Sequence, residues 1–306
     1  MGHHGRVRRR PHPLAVAAAA SLVLAAPALT ACTGGGHSRA AATTTAPGVA
    51  TSDAAPPIGR GPGHDIRTVG AVVYFAGFRL RVAGVDFDRP HGRLAVSVGV
   101  VNAAAAPGTL DAAAMIESHG ASAPADVRLA DPVPADGSAA TTASFAVPDT
   151  FNLDDATLSI GRPDHARAVV PLGGGDRPGL VDLAPQPVPA RGTLRAGAVA
   201  VSVDGAELRA DDVDGHRQAD TGSRFFVVHA GASADRDAVF TWEACRLQGP
   251  DGLRVAATGG SVQALSAGHS AAVLTAVFAV PADVRTASLT LVYDDGTNRG
   301  QLALSQ

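Results

Sequence analysis

The sequence predicts an all-β protein with two β-sandwich domains in tandem. Three observations lead to this prediction: apolar residues alternate with polar or small ones over short segments, turn residues separate the segments, and the order of segments occurs twice. With 306 residues, of which 46% are hydrophobic, the chain has the length and the apolar content for two packed cores.

The strands are predicted from alternation with a period of two residues. Every second residue from Leu94 to Val100 is a large aliphatic one, which is typical of a strand with one face on a core. A similar alternation begins at Leu80, and its phase slips at Gly84. A glycine at a phase slip indicates a β-bulge, so we expect one there.

Four blocks of sequence recur at a nearly constant displacement. The pairs are Leu94–Val101 with Arg224–Gly231, Phe145-Ala146-Val147-Pro148 with Phe278-Ala279-Val280-Pro281, Leu158 and Ile160 with Leu289 and Leu291, and Val170 and Leu172 with Leu302 and Leu304. The two members of each pair lie about 130 residues apart, and this constancy indicates a tandem duplication with small loop insertions. We therefore expect Phe145, Pro148, Phe278 and Pro281 to have structural roles at the ends of strands.

The duplication defines the expected domains as residues 66–172 and 192–306. Between them, residues 173–191 are rich in Gly and Pro and are expected to form a linker that proline stiffens. Residues 32–65 contain mostly Gly, Ala, Ser, Thr and Pro, which cannot bury enough apolar surface to offset the entropy of ordering. We expect this segment to be a disordered tether.

The amino terminus has the features of an export signal. A basic cluster, Arg6 to Arg10, precedes the uncharged apolar stretch Leu14 to Leu29. The stretch ends in Leu29-Thr30-Ala31-Cys32, which resembles the lipobox of bacterial lipoproteins. The resemblance implies that residues 1–31 are removed and that Cys32 becomes the lipid-bearing first residue, which anchors the protein to the outer face of the cell membrane.

Two alternatives to the lipobox are a plain signal peptide with a chance cysteine and a transmembrane anchor, but the apolar stretch is short for a membrane span of about 20 residues. The arginine run also leaves open whether export follows the general or the twin-arginine route.

Short motifs in both halves point to a family of domains. Val98-Gly99-Val100-Val101-Asn102, Leu247-Gln248-Gly249-Pro250-Asp251-Gly252, the Phe-Ala-Val-Pro strand ends and Leu289-Thr290-Leu291-Val292-Tyr293-Asp294 resemble the telokin-like, immunoglobulin-like modules of Gram-positive surface lipoproteins. That family's domain has no established function, so the resemblance implies an immunoglobulin-like sandwich in each half and assigns no catalytic residues.

Composition excludes several classes of function. The chain contains no Lys, which excludes Lys-dependent Schiff-base and phosphoryl chemistry. Removing residues 1–31 takes away four Arg and no acidic residue, so 21 basic residues remain against 28 acidic ones, a net charge of −7. Such a surface repels nucleic acid. With Cys32 acylated, Cys245 is the remaining thiol, so an intramolecular disulfide is excluded.

One acidic loop is the candidate for a metal site. The run from Asp211 to His216 offers Asp212, Asp214 and His216 as ligands for a hard cation such as Ca²⁺. Asp and Gly also form turns for backbone reasons, and no bidentate Glu follows. The solvated turn is the favoured interpretation, so we expect no metal and no other cofactor.

The lone tryptophan, Trp242, lies in Phe240-Thr241-Trp242-Glu243-Ala244 and is expected to be a core aromatic residue rather than a ligand-facing one. Whether Cys245, three residues later, is buried or exposed stays open at this stage.

These observations predict a non-enzymatic lipoprotein of the cell envelope that binds or scaffolds a protein or glycan partner. The alternative is an extracytoplasmic carrier of a small ligand or metal ion. An envelope hydrolase is the third hypothesis, and the sequence offers it only generic Asp and His residues.

The lipobox predicts that lipid attachment depends on one cysteine. Cells expressing Cys32→Ala are expected to yield protein that incorporates no labelled palmitate and is released from the membrane fraction, because no thiol remains at the acylation position. Cys245→Ala is the matched control, and its labelling should equal that of the unmodified chain. Equal labelling of both variants would contradict the lipobox.

Overall fold

The computed structural model describes residues 63–173, 178–258, 262–269 and 274–304. The expected signal sequence, Cys32 and most of the expected tether lie outside these ranges. Strands dominate the described residues, and the helical segments among them are four 3-10 turns of three residues each, which confirms the all-β prediction. No helix within these ranges is long and apolar enough to cross a bilayer.

The N-terminal half, residues 63–183, contains two antiparallel sheets. Its strands are β1 (His64–Phe75), β2 (Phe78–Asp88), β3 (Arg93–Asn102), β4 (Asp111–Ser118), β5 (Ala121–Arg128), β6 (Ser138–Ala146), β7 (Thr157–Ile160) and β8 (Ala168–Pro171). The strand orders are β1-β2-β3-β6 and β5-β4-β7-β8. Apolar side chains of both sheets, among them Leu80, Val98, Ile116 and Leu158, pack into one buried core.

The C-terminal half, residues 186–304, repeats this plan. Its strands are β9 (Gln186–Val188), β10 (Gly192–Ala196), β11 (Val199–Arg209), β12 (Asp211–Asp212), β13 (Arg217–Gln218), β14 (Ser223–Ala234), β15 (Ala238–Thr241), β16 (Cys245–Gln248), β17 (Arg254–Ala256), β18 (Val262–Leu265), β19 (Leu274–Pro281), β20 (Thr290–Asp294) and β21 (Arg299–Ala303). The main sheets run β10-β11-β14-β19, with β9 also on β11, and β17-β16-β20-β21. They enclose a second, separate core.

The expected bulge is present and is duplicated. The register between β2 and β3 shifts between Val82 and Gly84, which confirms the prediction. The register between β11 and β14 shifts in the same way between Val203 and Gly205. A side chain at Gly84 would place its Cβ 2.7 Å from the carbonyl oxygen of Arg67, so the close approach of β1 requires glycine there.

Hydrogen bonds correct the alignment of the two halves by two residues in two blocks. Leu172 donates to the carbonyl of Ala156, and Leu304 donates to that of Leu289, so Leu289 is equivalent to Ala156 rather than to Leu158. Leu158 is therefore equivalent to Leu291. A strand pattern repeats every two residues, so sequence alternation alone cannot distinguish registers that differ by two.

The first strand block shifts by two residues as well. Leu94 lies opposite Phe145 in the sheet, and Phe226 lies opposite Phe278. Leu94 is thus equivalent to Phe226 and not to Arg224. With this correction all four blocks share one displacement to within a single residue.

The segment 173–191, expected to be a linker, is attached to both halves where the structure describes it. Val181 forms a β-bridge with Val169, and the carbonyl of Asp182 accepts a hydrogen bond from the Tyr74 amide (2.8 Å). Leu183 is buried in the N-terminal core, whereas Val188, in β9, is buried in the C-terminal core. The chain therefore passes from one core to the other between these two residues.

The expected structural aromatic residues are buried. Phe145 and Phe278 are 1% and 0% exposed, and Pro281 is the last residue of β19, whereas Pro148 lies just beyond the end of β6. Trp242 is also in the core, but it begins a 3-10 turn between β15 and β16 rather than lying in a strand.

The turn at Trp242 depends on a side-chain hydrogen bond. The Thr241 hydroxyl accepts this bond from the Glu243 amide and caps the turn. Alternation of apolar residues does not reveal an interaction of this kind.

Candidate functional site

The two halves differ most in the connection that follows their bulged strands, β2 and β11. From the bulge glycine to the first core position of the next strand, the chain runs from Gly84 to Leu94 in one half and from Gly205 to Phe226 in the other. The C-terminal connection is therefore the longer one. Its additional residues belong to the segment 210–222, which we call the arm.

A buried carboxylate fastens the first part of the arm. Ala210 is buried in the core of the N-terminal half, and Asp211 is 1% exposed. Asp211 Oδ2 accepts a hydrogen bond from the Gly77 amide of the N-terminal half (2.9 Å). Its Oδ1 accepts from Arg209 Nε (3.0 Å), and Arg209 Nη1 donates to Glu207 (2.9 Å). Burial lowers the pKa of Arg209, but the charge of Asp211 and the hydrogen bonds to both carboxylates outweigh it and raise that pKa.

The second part of the arm binds the turn between β1 and β2. Ala76 and Gly77 both have positive φ, 47° and 83°, as in a two-residue type I′ hairpin turn. The Ala76 amide donates to Gln218 Oε1 (2.9 Å), and its carbonyl lies 3.3 Å from His216 Nδ1. That contact requires a proton on Nδ1. The His216 ring also packs on Phe78, with ring centroids 5.2 Å apart.

The end of the arm pairs with the loop between β7 and β8. The Ala166 amide donates to the carbonyl of Ala219 (2.8 Å), and the Thr221 amide donates to that of Asp164 (2.9 Å). His165 and Asp220 form an antiparallel bridge between these two contacts. The arm therefore holds the two halves together from one end to the other through backbone and side-chain hydrogen bonds.

Two glycines of the N-terminal half make room for the arm. A Cβ at Gly77 would lie 2.6 Å from the carbonyl oxygen of Val213, and a Cβ at Gly108 would lie 2.6 Å from His216 Nε2. Side chains at these positions would displace the arm, because such distances are far inside van der Waals contact.

The three candidate metal ligands do not converge. Asp212 accepts hydrogen bonds from the Gly215 amide (3.2 Å) and from Arg217 Nε and Nη2 (3.1 and 2.6 Å), so both of its oxygens are engaged. Asp214 Oδ1 lies 3.5 Å from the Ala105 amide, and His216 faces Ala76 instead. Across the described residues, no group of three or more His, Cys, Asp or Glu side chains is placed to hold a metal ion.

Sequence analysis interpreted this loop as a solvated turn or a metal site and missed its role at the contact between the halves. Asp211 and Asp212 are buried, which neither interpretation expects. The extra length of this loop can be read from the sequence. Equivalent residues of the two halves are separated by more positions after the loop than before it. Detecting it required the bulge at Gly205 to be recognised as the equivalent of that at Gly84.

Two of the clefts that border the arm also border β14. One, of about 410 Å³, lies between the arm, the β7–β8 loop and β14, and it is lined by His165, Arg217, Asp220, Arg224 and Phe225 among others. The other, of about 270 Å³, is lined by Ala105, Glu207, Asp214, His229 and Thr275 among others. Because the arm is fixed at both ends, each cleft has a defined shape.

The lone thiol of the described chain lies away from these clefts. Cys245 is 1% exposed and lies opposite Tyr293 in the C-terminal core. Burial raises the pKa of the Cys245 thiol to about 12. It therefore packs as a small hydrophobic side chain and is not a nucleophile at neutral pH.

Comparison with known proteins adds little. No protein-family model and no curated protein matches the chain. Among solved structures, the chain is similar to a conserved domain protein from Bacillus anthracis, with 9% identity over 74% of this chain and 76% of that one and a TM-score of 0.23. At that score the likeness carries no argument about fold or function.

The Gly108 contact predicts a variant that loosens the arm. Gly108→Ala is expected to destabilise the protein by about 1–3 kcal/mol in denaturant unfolding, because the new methyl group collides with His216. It should also speed amide hydrogen exchange at Gly77 and Thr221. Gly99→Ala is the matched control, since its Cβ would meet only ordinary contacts at 3.8 Å. Equal exchange rates in the two variants would show that the arm does not depend on this contact.

The buried thiol predicts inertness in the native state. In a Cys32→Ala chain, Cys245 should not react with a thiol reagent at pH 8, because about one part in ten thousand of a thiol with a pKa of about 12 is ionised there and the sulfur is inaccessible. Full reaction is expected in denaturant. Rapid stoichiometric labelling without denaturant would contradict the burial of Cys245.

Proposed function

We propose that this protein is a non-enzymatic lipoprotein of the cell envelope, anchored to the outer face of the membrane through Cys32. Its two sandwich halves act together as one rigid platform that binds or scaffolds an envelope partner. The observation that carries this proposal is the docked arm, which turns two duplicated modules into a single body. A fixed relative orientation is a requirement for presenting a composite surface and has no use in a simple spacer.

The connection of the strands supports the family resemblance. In the N-terminal half the chain crosses between sheets from β3 to β4, from β5 to β6 and from β6 to β7, so that β6 lies beside β3 and β7 lies beside β4. In the C-terminal half β14 pairs with β19, and β16 pairs with β20. Immunoglobulin-type sandwiches use this crossing, and many cell-surface domains share their architecture. A recognition role for both halves agrees with it.

A carrier of a small ligand is the second candidate. The cleft of about 410 Å³ beside the arm favours it, because binding pockets for small molecules are about 300–1,000 Å³. A hydrolase has less support: Asp211, Asp212 and His216 all face groups that fix the arm, so they are committed to structure.

Site-specific crosslinking tests the platform. A photoreactive residue at Asp220, whose side chain is 81% exposed beside the larger cleft, is expected to give a discrete adduct in intact envelopes. The same residue at Val239, which is 61% exposed on β15, is the control position and should give none. Gly108→Ala should abolish the Asp220 adduct because it displaces the arm.

No adduct from position 220, or an adduct that persists in Gly108→Ala, would overturn the platform proposal. Native mass spectrometry of protein isolated from its own envelope distinguishes a small-ligand carrier from a scaffold. A carrier retains a bound small molecule, and a scaffold retains none.

A further inference from the structure

The larger cleft contains an arginine with no partner. Arg224, at the start of β14, is partly buried and lines this cleft. Within the described part of the chain, the Arg224 side chain makes no hydrogen bond or ion pair, although its backbone pairs with β19. Most other arginines near the arm are paired, as Arg209 is with Asp211 and Arg217 is with Asp212. A partly buried guanidinium without a counter-ion is energetically unfavourable unless a bound ligand places a negative charge beside it.

A second guanidinium lies in the same cleft and keeps donors free. Arg217 contacts Asp212 Oδ2 through Nε and Nη2, and its guanidinium carbon lies 5.7 Å from the centroid of the Phe225 ring. Its Nη1 has no acceptor among the described residues. The stacking on Phe225 fixes the plane of the group, so the unused donors have a defined direction.

The cleft also holds uncharged donors. Gln218 lines it, and the Gln218 amide is oriented by the hydrogen bond that its Oε1 accepts from Ala76. The Nε2 of Gln218 is therefore a donor, yet it is buried and has no acceptor in the described residues. Ser223 adds a hydroxyl to the lining. The Arg224 guanidinium and Arg217 Nη1 thus line the cleft as donors without acceptors, which is the pattern of a site that receives an oxyanion.

The acidic groups near the cleft leave Arg224 uncompensated. Asp220 is largely exposed, and its Oδ1 lies 3.6 Å from His165 Nε2. Asp164 lies 2.9 Å from His165 Nδ1, and the hydrogen bond to that histidine lowers the pKa of Asp164. Asp212 is taken by Arg217. Each of these carboxylates thus contacts a side chain other than Arg224, and His165 serves two of them.

We propose that this cleft binds a small oxyanion, a phosphate or carboxylate group, through the guanidinium groups of Arg224 and Arg217. The inference rests on the proposed binding function and specifies its ligand chemistry. The net charge of −7 on the exported chain repels long polyanions, whereas a single anionic group can enter a locally positive cleft.

A titration of the full-length protein in neutral detergent tests the site. The ¹⁵N-labelled protein is titrated with inorganic phosphate, sodium acetate or glycerol 3-phosphate, and sodium chloride at equal ionic strength is the control for general charge effects. Saturable shifts of the Gln218 side-chain amide and of the Ser223–Phe225 backbone amides are expected. A response to all three oxyanions indicates the group alone, and a stronger response to glycerol 3-phosphate indicates a phosphate carried on an organic body such as a lipid headgroup.

Two matched variants make the result specific. Arg224→Gln breaks no described internal contact, and it should weaken binding about tenfold through the loss of a charge-assisted hydrogen bond. Arg246→Gln removes the same charge from an exposed position on β16 and should change binding less than twofold. Unfolding temperatures of both variants, measured in parallel, show whether any loss of binding arises from loss of folding.

The proposal is overturned if no oxyanion gives saturable shifts, if chloride gives the same shifts, or if the two variants bind equally. These results would leave the platform standing wherever the adduct at position 220 is still formed. Conversely, oxyanion binding without any adduct would support the site while removing the larger partner from the proposed function.

Discussion

The arrangement of the molecule depends on the buried carboxylate of Asp211. A carboxylate excluded from water is strongly destabilising unless donors surround it, and the Asp211 oxygens find theirs in Arg209 of the same half and in the Gly77 amide of the other half. The arm therefore satisfies its own charge only when the two halves are in contact. The requirement couples the folding of the arm to the association of the halves, and the shape of both clefts follows from it.

The arm is an addition to a packing arrangement that both halves share. Both have a bulge at an equivalent glycine, Gly84 and Gly205, and both place a phenylalanine of their last long strand against the third strand of the sheet. The additional residues enter at one loop, where they disturb neither core. An insertion into a loop is a simple way for a repeated module to gain a new contact surface, because the sheets that define the fold are unaffected.

Much of the fold is predictable from the local pattern of apolar residues, and each wrong prediction has a physical cause. Alternation predicts β3 and the bulge at Gly84 because one face of the sheet is apolar. It misaligns Leu158 by two residues because a strand has a period of two. It also places Trp242 in a strand, whereas the Thr241 hydroxyl directs the chain into a 3-10 turn. Both features are fixed by hydrogen bonds, and the alternation of apolar residues carries no information about those bonds.

In the candidate site, the difference between what the local sequence predicts and what the structure shows is larger. Residue types identify Asp212, Asp214 and His216 as polar residues of a turn, and Asp212 does form that turn with Gly215. Nothing in the local sequence reveals that the turn lies against Ala76, about 140 residues earlier in the chain. The unpaired state of Arg224 is equally invisible, because pairing depends on which carboxylates come within reach after folding.

The sequence by itself therefore determined the fold class, the recurrence of sequence blocks and the positions of several strands, among them β3, since these follow from composition and from the period of apolar residues. It also contains Leu29-Thr30-Ala31-Cys32, the motif that resembles a lipobox and on which the proposed anchoring depends. Only the tertiary structure decided that the two halves form one body and that a cleft with unsatisfied donors lies beside the arm. The physical reason is that these features arise from contacts between distant segments, and such contacts are fixed by the balance of buried charge and hydrogen bonds in three dimensions.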